Sequence, residues 1–298
     1  MKSKFYPLIV LGVLLAGFSL RAEDGPKSRD EIIKLVKSLK YEQGEIKLRG
    51  GLATLNVPTN FNYLNPDDAQ KVLVKLWGNP PGPKPLGMLM PAGKTPLDDD
   101  RWAVTISFTE DGYVKDDDAG KINYDDLLKT MQKQVREASE ERVKKGYHSV
   151  ELIGWAEAPR YDAETHKMYW AKELKFGDQS EDTLNYNIRM LGRRGVLVLN
   201  GIASMDQLPE LKKVSPDILA MVNFNDGNRY ADFDPKVDKV ATYGLAALVA
   251  GGIAAKLGLF KLLWVFILAA KKFIIIGCVA IGAWFKKTFG KKQGPTAT

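Results

Sequence analysis

The feature that most constrains this chain is a C-terminal run that is almost entirely apolar. Between residues 240 and 285 it is interrupted only by lysines, at positions 256, 261, 271 and 272. About 20 apolar residues in a helix cross the hydrocarbon core of a bilayer. Residues 240–260 reach that length, and Lys256 lies close enough to the end for its amine to extend to the interface. The run predicts a hydrophobic membrane anchor over residues 239–287, formed by C-terminal transmembrane helices.

The second half of this run leaves the number of membrane crossings open. Residues 262–285 are long enough to span, but Lys271 and Lys272 lie near their centre, where each charge costs about 2.5–3.5 kcal/mol. The segment therefore either crosses while tilted and paired or lies in the interface as a basic amphipathic helix. The basic tail, predicted to be disordered over 288–298, favours a cytoplasmic C-terminus and one crossing. A hairpin with two crossings is the alternative.

Small side chains recur along the first half of the anchor. Their spacing of about four residues places them on one face of a helix, where backbones can approach closely. This pattern predicts helix packing, within the chain or between copies of it, although glycine and alanine are common in membrane helices anyway. The residues concerned are Gly244, Ala247, Gly251, Ala255 and Gly258.

The other end of the chain has the features of a secretory signal peptide. Lys2 and Lys4 precede a short apolar stretch, and a cleavage site follows at Ala22. We therefore expect a signal peptide over 1–22, with an uncleaved anchor helix as the alternative. In both cases residues 23–238 form a domain outside the cytoplasm, which places it in the periplasm on the bacterial inner membrane.

The positive charge of the chain belongs to its ends. The formal net charge is +7, but residues 23–238 hold 31 basic and all 36 acidic residues. A mildly acidic domain lacks the basic surface of a nucleic-acid binder. The one cysteine, Cys278, lies in the apolar run, so neither an intrachain disulfide nor a cysteine metal cluster is available.

Helix and strand patterns alternate through residues 23–238. Ser28, Asn65 and Asn123 each precede an apolar-periodic stretch and predict helix starts. One predicted strand alternates most clearly, with Asn185, Asn187 and Arg189 facing away from its apolar side. The pattern indicates one α+β domain, a mostly antiparallel sheet with packed helices. Helices are predicted over 28–40, 65–77, 123–145 and 206–221, and strands over 45–48, 52–57, 86–90, 102–108, 148–157, 166–176, 183–191 and 195–203.

An acidic loop is the best candidate for an ion site. Asp116 and Asp118 lie in it, close to further carboxylates at 110–111 and 125–126. Calcium prefers several carboxylate and carbonyl oxygens on a flexible loop. The spacing does not fit an EF-hand, however, and charged runs in loops are usually solvated. We therefore predict a solvated loop and no metal site, with calcium at Asp116 and Asp118 as the weaker alternative.

No catalytic motif is present in the sequence, and we predict neither an enzyme nor a cofactor. His148 and His166 each begin a predicted strand. A hairpin would bring them face to face, where Glu151 or Glu164 could complete a zinc site, although two solvated strand ends are the simpler interpretation. Aromatic residues crowd the same hairpin and are expected in the core rather than in a binding surface: Trp155, Tyr161, Tyr169, Trp170 and Phe176.

Several short segments together resemble a known family. They are Gly44-Glu45-Ile46, Asp111-Gly112-Tyr113-Val114, Gly154-Trp155-Ala156, the stretch 224–235, Tyr243-Gly244-Leu245 and the stretch 251–256. In combination they are similar to the membrane-anchored bacterial proteins known as domain of unknown function 2167. This resemblance implies an envelope location and a C-terminal anchor, and no activity. The strand order is also similar to the small α+β fold of PsbP and Mog1, which suggests a binding module.

These observations predict a non-catalytic envelope protein whose periplasmic domain binds or senses a ligand. The expected partners are the lipid bilayer and, through the anchor, a membrane protein or a second copy of the chain. Two other classes stay open at this point. One is a hydrolase with an unrecognised acidic site, which would show polar residues converging in a cleft. The other is a purely structural membrane-associated protein.

Overall fold

Local capping sets the starts of the helices. In the computed structural model, which describes residues 28–251, the Ser28 hydroxyl accepts the Glu31 amide and begins α1 (Arg29–Lys37). Asn65 caps α2 (Pro66–Gln70) and Asn123 caps α3 (Tyr124–Lys144) in the same way. The fourth helix, α4 (Leu208–Met221), follows one short 3₁₀ turn, and α5 (Leu245–Ala250) follows much later.

Eleven strands are present in the described part of the chain. They are β1 (Tyr41–Glu42), β2 (Gly44–Leu48), β3 (Ala53–Val57), β4 (Phe61–Leu64), β5 (Gly87–Pro91), β6 (Ala103–Thr109), β7 (Val150–Asp162), β8 (Lys167–Phe176), β9 (Thr183–Gly192), β10 (Gly195–Ser204) and β11 (Val222–Phe224). Eight form one sheet in the order β1-β4-β5-β6-β10-β9-β8-β7, and β11-β3-β2 form a smaller sheet. All paired strands are antiparallel. The prediction of an α+β domain with a mostly antiparallel sheet is confirmed.

The large sheet has an apolar core on each face. One core takes side chains from α2, α3 and α5, with Trp170 and Leu245 among its most buried members. The other is closed by the smaller sheet and α4, which contribute Leu55 and Ile218. Side chains alternate between the two faces of a strand, so β8, β9 and β10 supply both cores and order the centre of the domain.

The second helix differs from its prediction after one turn. The α-helix ends at Gln70 and the chain continues as a π-helix, Lys71–Leu76, in which the Trp77 amide donates to the Val72 carbonyl at 2.9 Å. The Trp77 indole donates to the Pro96 carbonyl at 3.0 Å and is buried. The wider turn thus accompanies the burial of a large side chain whose N–H needs an acceptor.

The beginning of the predicted anchor is the main correction. No helix within residues 28–251 is long and apolar enough to cross a membrane. The predicted helix does not begin at Val240, because Val240 pairs with Tyr113 in a β-bridge and α5 is only six residues long. Gly251 then turns with φ 85°, in the left-handed region. Residues 252–298 and 1–27, with the predicted signal peptide, second anchor segment and tail, lie outside the described residues.

The residues of this stretch pack into the domain instead of beginning a separate anchor. Leu245, Leu248 and Val249 are 0 %, 4 % and 1 % exposed and belong to the core beside α3. They lie past the end that was predicted for the domain at 238, and the described residues all belong to one compact unit. We call residues 239–250 the docked segment.

Candidate functional site

A loop of four aspartates holds the docked segment. This aspartate loop, residues 111–118, runs beside residues 239–241 as a short parallel bridge. The Tyr113 amide donates to the Lys239 carbonyl, and the Ala241 amide donates to the Tyr113 carbonyl, both at 2.8 Å. Gly112 makes this approach possible with φ 105°, because a Cβ there would lie 2.5 Å from the Lys239 carbonyl oxygen.

Two carboxylates of the loop fix the start of α5. Asp118 accepts the amides of Leu245 and Ala246 at 3.0 and 3.3 Å, so it satisfies donors that a helix start otherwise leaves open. Asp111 accepts the Tyr243 hydroxyl at 2.7 Å. Burial, followed by this hydrogen bond, raises the pKa of Tyr243, which keeps the phenol a donor. An open groove of about 340 Å³ lies between the loop and the docked segment.

Asp116 lies at the centre of a second set of contacts. Its carboxylate accepts the Tyr161 hydroxyl at 2.7 Å and the Tyr230 hydroxyl at 3.2 Å. His166 Nδ1 is 3.5 Å from the same carboxylate and 3.2 Å from the Tyr161 oxygen. Four side chains from three distant segments thus share one charge. We call Asp116, Tyr161, His166 and Tyr230, together with Tyr113, the tyrosine–aspartate cluster.

Stacked rings complete this cluster. Tyr113 lies between Tyr230 and Phe233, with ring centroids at 4.3 and 3.9 Å. His166 continues the stack on the far side of Tyr230, at 4.1 Å. It does so from a left-handed backbone conformation with φ 52°, which is costly for a residue with a side chain. The stack ties the aspartate loop to the turn between β7 and β8.

The electrostatics of the cluster keep Asp116 charged and its tyrosine partners neutral. Burial alone would raise the pKa of Asp116, but the hydrogen bonds from Tyr161, its own backbone and Tyr230, with His166 nearby, lower it below its usual value. Burial and the adjacent carboxylate raise the pKa values of Tyr161 and Tyr230. Such an arrangement is a stable hydrogen-bonded cluster, with Asp116 and His166 as its only acid–base pair.

The residues predicted as sites have separate partners. Asp116 and Asp118 face different groups, and no three His, Cys, Asp or Glu side chains within 28–251 are placed to hold a metal ion. Calcium binding at Asp116 and Asp118 stays an untested alternative. His148 and His166 do not face each other, because the β7–β8 ladder pairs Asp162 with Lys167 at one end and Val150 with Phe176 at the other. The hairpin thus does not bring the two histidines together as the alternative of a zinc site requires.

The aromatic and small residues have mixed outcomes. Tyr169, Trp170 and Phe176 are buried, as predicted, whereas Trp155 and Tyr161 are partly exposed. Gly244 precedes α5 in extended conformation, with the Asp118 carboxylate where its Cβ would be, so it is a contact within the domain. Ala247 lies in α5 and Gly251 ends it, while Ala255 and Gly258 lie outside the described residues.

Sequence reasoning missed the tyrosines and His166 as partners of Asp116. Tyr113 and Tyr230 are in two of the segments that carry the family resemblance, and Tyr243 is in a third. These segments meet at the aspartate loop. Their shared membership in the family resemblance is the one sequence signal that would have grouped them. Nothing in their local spacing indicates the contact, because more than 100 residues separate Asp116 from Tyr230.

The structure therefore defines an α+β domain whose aspartate loop holds a C-terminal docked segment. The chain belongs to the family described as Protein of unknown function (DUF2167), whose model matches residues 40–282. No curated protein matches the chain.

Two solved structures are similar in outline. One is the cyanobacterial PsbP protein (CyanoP) from Synechocystis sp. PCC 6803, with 12% identity, a TM-score of 0.34, and coverage of 63% of this chain and 93% of that one. The other is the Ran-binding protein Mog1p from Saccharomyces cerevisiae, with 12% identity, a TM-score of 0.32, and coverage of 66% and 100%. At these scores no ligand or partner of either protein carries over.

Proposed function

We propose that this protein is anchored in the bacterial inner membrane by its apolar C-terminal region. In this proposal its α+β domain lies in the periplasm and is a non-catalytic module that binds or senses a ligand. Its fold is taken to be a variant of the one found in PsbP and Mog1. The lipid bilayer is its first partner, and a membrane protein or a second copy meets it through the anchor.

The observation that carries the proposal is the attachment of the docked segment to the aspartate loop. The chain leaves the domain toward the apolar region through residues that Asp111, Tyr113 and Asp118 hold by hydrogen bonds. The same loop contacts the β7–β8 turn through Asp116 and His166. A ligand that shifts the loop would therefore alter the docked segment directly, which is what a membrane-anchored sensor requires.

A hydrolase is the second candidate, and one observation favours it. Asp116 and His166 form a carboxylate–imidazole pair, the kind of pair that orients a general base. Against it, one Asp116 oxygen already accepts the Tyr161 hydroxyl, and the other shares the Tyr230 hydroxyl with the Val114 carbonyl. Hydrolysis of a chromogenic ester or phosphate ester that disappears in His166→Ala, with the fold intact, would favour the enzyme over the binding module.

The location is tested by cysteine labelling of the full-length protein in a Cys278→Ser background. Val237 is 73% exposed and accepts a cysteine without loss of core contacts. We expect Val237→Cys to react with a membrane-impermeant maleimide in intact spheroplasts. Thr296→Cys should react only in inverted vesicles, since the basic tail favours the cytoplasm.

Two outcomes bear on the topology and the location differently. Labelling of Thr296→Cys in spheroplasts would mean two crossings and leave the periplasmic domain in place. Protection of Val237→Cys in spheroplasts, together with its labelling in inverted vesicles, would put the domain in the cytoplasm and contradict the proposal.

A further inference from the structure

A group of polar side chains is buried on the sheet face that carries α3 and α5. β8, β9 and β10 are neighbours, and their register pairs Lys172 with Asn185, and Asn187 with Asn200. Asn185 and Asn187 are each 1% exposed, and Asn200 is 6% exposed. Arg189 follows on the same face of β9. We call Trp170, Lys172, Asn185, Asn187, Arg189 and Asn200 the polar patch.

The acceptors within the patch are already in use. Arg189 donates to the side-chain oxygens of Asn200 at 3.0 Å and Asn187 at 3.2 Å. The side-chain amide of Asn187 donates from Nδ2 to the Asn185 side-chain oxygen at 3.0 Å. These bonds also fix which way each amide points, since a reversed amide would place donor against donor. All three amide oxygens of the patch are therefore occupied.

The groups left over are donors. Asn185 Nδ2 and Trp170 Nε1 are buried and have no hydrogen-bond partner among residues 28–251, although buried polar groups are nearly always paired. The Lys172 side chain makes no hydrogen bond or ion pair with any residue from 28 to 251. The Arg189 guanidinium lies over the Trp170 ring, 4.8 Å from the ring centroid, in a cation–π contact that positions the indole.

The patch also has an excess of positive charge, from Lys172 and Arg189. Within the described chain neither Lys172 nor Arg189 forms a salt bridge. Outside it, the sequence after residue 251 contains no acidic residue, and Glu23 and Asp24 are the two acids before residue 28. Burial lowers the pKa of Lys172 to about 7, with the charge of Arg189 contributing, and burial lowers the pKa of Arg189 to about 9. Two partly buried cations with no anion beside them in the described chain are costly unless something binds them.

We propose that the polar patch binds a small oxyanion, a phosphate or carboxylate group. Its oxygens would accept hydrogen bonds from the Lys172 ammonium, the Trp170 indole and the Asn185 amide, while Arg189 supplies charge and positions Trp170. This inference deepens the proposed function, since it gives the binding module a class of ligand. Lys172 and Arg189 keep partial exposure, which leaves the patch open to a ligand. The oxyanion is either free in solution or part of an anionic lipid headgroup.

The test measures the melting temperature of the detergent-solubilised full-length protein with added phosphate or acetate, at constant ionic strength against chloride. At a hundredfold excess over the dissociation constant we expect a rise of about 5–10 °C. Lys172→Gln should abolish the rise and should itself be no less stable than the wild type, because it removes a buried charge. The matched control is Lys175→Gln, an exposed lysine on the same strand, which should respond like the wild type.

A second measurement reports on the site itself. The indole N–H resonance of Trp170, assigned by its loss in Trp170→Phe, should move downfield on addition of phosphate in the wild type and stay unmoved in Lys172→Gln. Anionic phospholipid vesicles replace phosphate in a parallel arm. A response to vesicles alone identifies a headgroup, and a response to free anions identifies a soluble ligand.

The inference is overturned if none of these probes shifts either signal, or if Lys172→Gln responds as the wild type does. These outcomes are independent of the labelling at Val237 and Thr296. If the protein is membrane-anchored and periplasmic but does not respond to anions, only the oxyanion proposal fails. If it responds to anions but its domain is cytoplasmic, only the proposed location fails.

Discussion

A chain that ends at Asp238 is expected to be far less stable than one that ends at Gly251, with both beginning at Glu23. The longer chain buries Leu245, Leu248 and Val249 almost completely. Each such side chain contributes about 1.5–3 kcal/mol on burial, so the shorter chain should lose about 5–8 kcal/mol. That loss is comparable to the whole stability of a typical domain. Urea denaturation of the two purified proteins measures it.

The contribution of α5 can be separated from chain length by single substitutions in the longer protein. Leu248→Ala is expected to lower the free energy of unfolding by about 2–4 kcal/mol. Val237→Ala is the control, because Val237 is 73% exposed and its loss should change stability by less than about 0.5 kcal/mol. Equal midpoints for the chains ending at 238 and 251 would mean that the docked segment adds nothing to the domain.

Gly112→Ala is expected to destabilise the domain by about 3 kcal/mol or more. The backbone there has φ 105°, and a Cβ would lie 2.5 Å from the Lys239 carbonyl oxygen and 3.0 Å from the Ala241 nitrogen. Both contacts are with backbone atoms, so the docked segment would have to move away from the aspartate loop. Urea denaturation gives the loss of stability.

A glycine of the short 3₁₀ turn Ala119–Lys121, which follows the aspartate loop, provides the matched control. Gly120 has no positive φ, and a Cβ there would meet nothing within 4 Å. Gly120→Ala should therefore change stability by less than about 1 kcal/mol, and in the stabilising direction, since alanine restricts the unfolded chain. If Gly112→Ala were tolerated as well as Gly120→Ala, the close approach of Lys239 to the loop would be wrong.

The parts of the fold that sequence predicts well depend on neighbouring residues. Ser28, Asn65 and Asn123 bond amides two or three positions ahead, so a helix start can be recognised within one turn. The long strands are recognised from alternation with a period of two. The alternation in β9 correctly separates its two faces, yet it does not reveal that Asn185 and Asn187 are buried, because that depends on what packs over the sheet.

The docked segment shows why hydropathy was misleading at residue 240. An apolar stretch satisfies the same pattern in a lipid bilayer and in a protein core, since both exclude water. Its true context depends on Asp118, more than 120 residues earlier in the chain. The tyrosine–aspartate cluster was missed for the same reason, because Asp116 meets Tyr161 and Tyr230 only through the tertiary fold.

Hydrogen exchange tests most directly the claim that the apolar C-terminal region begins inside the domain. In the chain of residues 23–251, without membrane or detergent, the amides of Leu248 and Val249 should exchange nearly as slowly as those of β9 and β10. Asp118→Ala should speed exchange in α5 while β9 and β10 stay protected. Exchange of the α5 amides at the rate of an unstructured peptide, beside a protected sheet in the unmodified chain, would contradict the account.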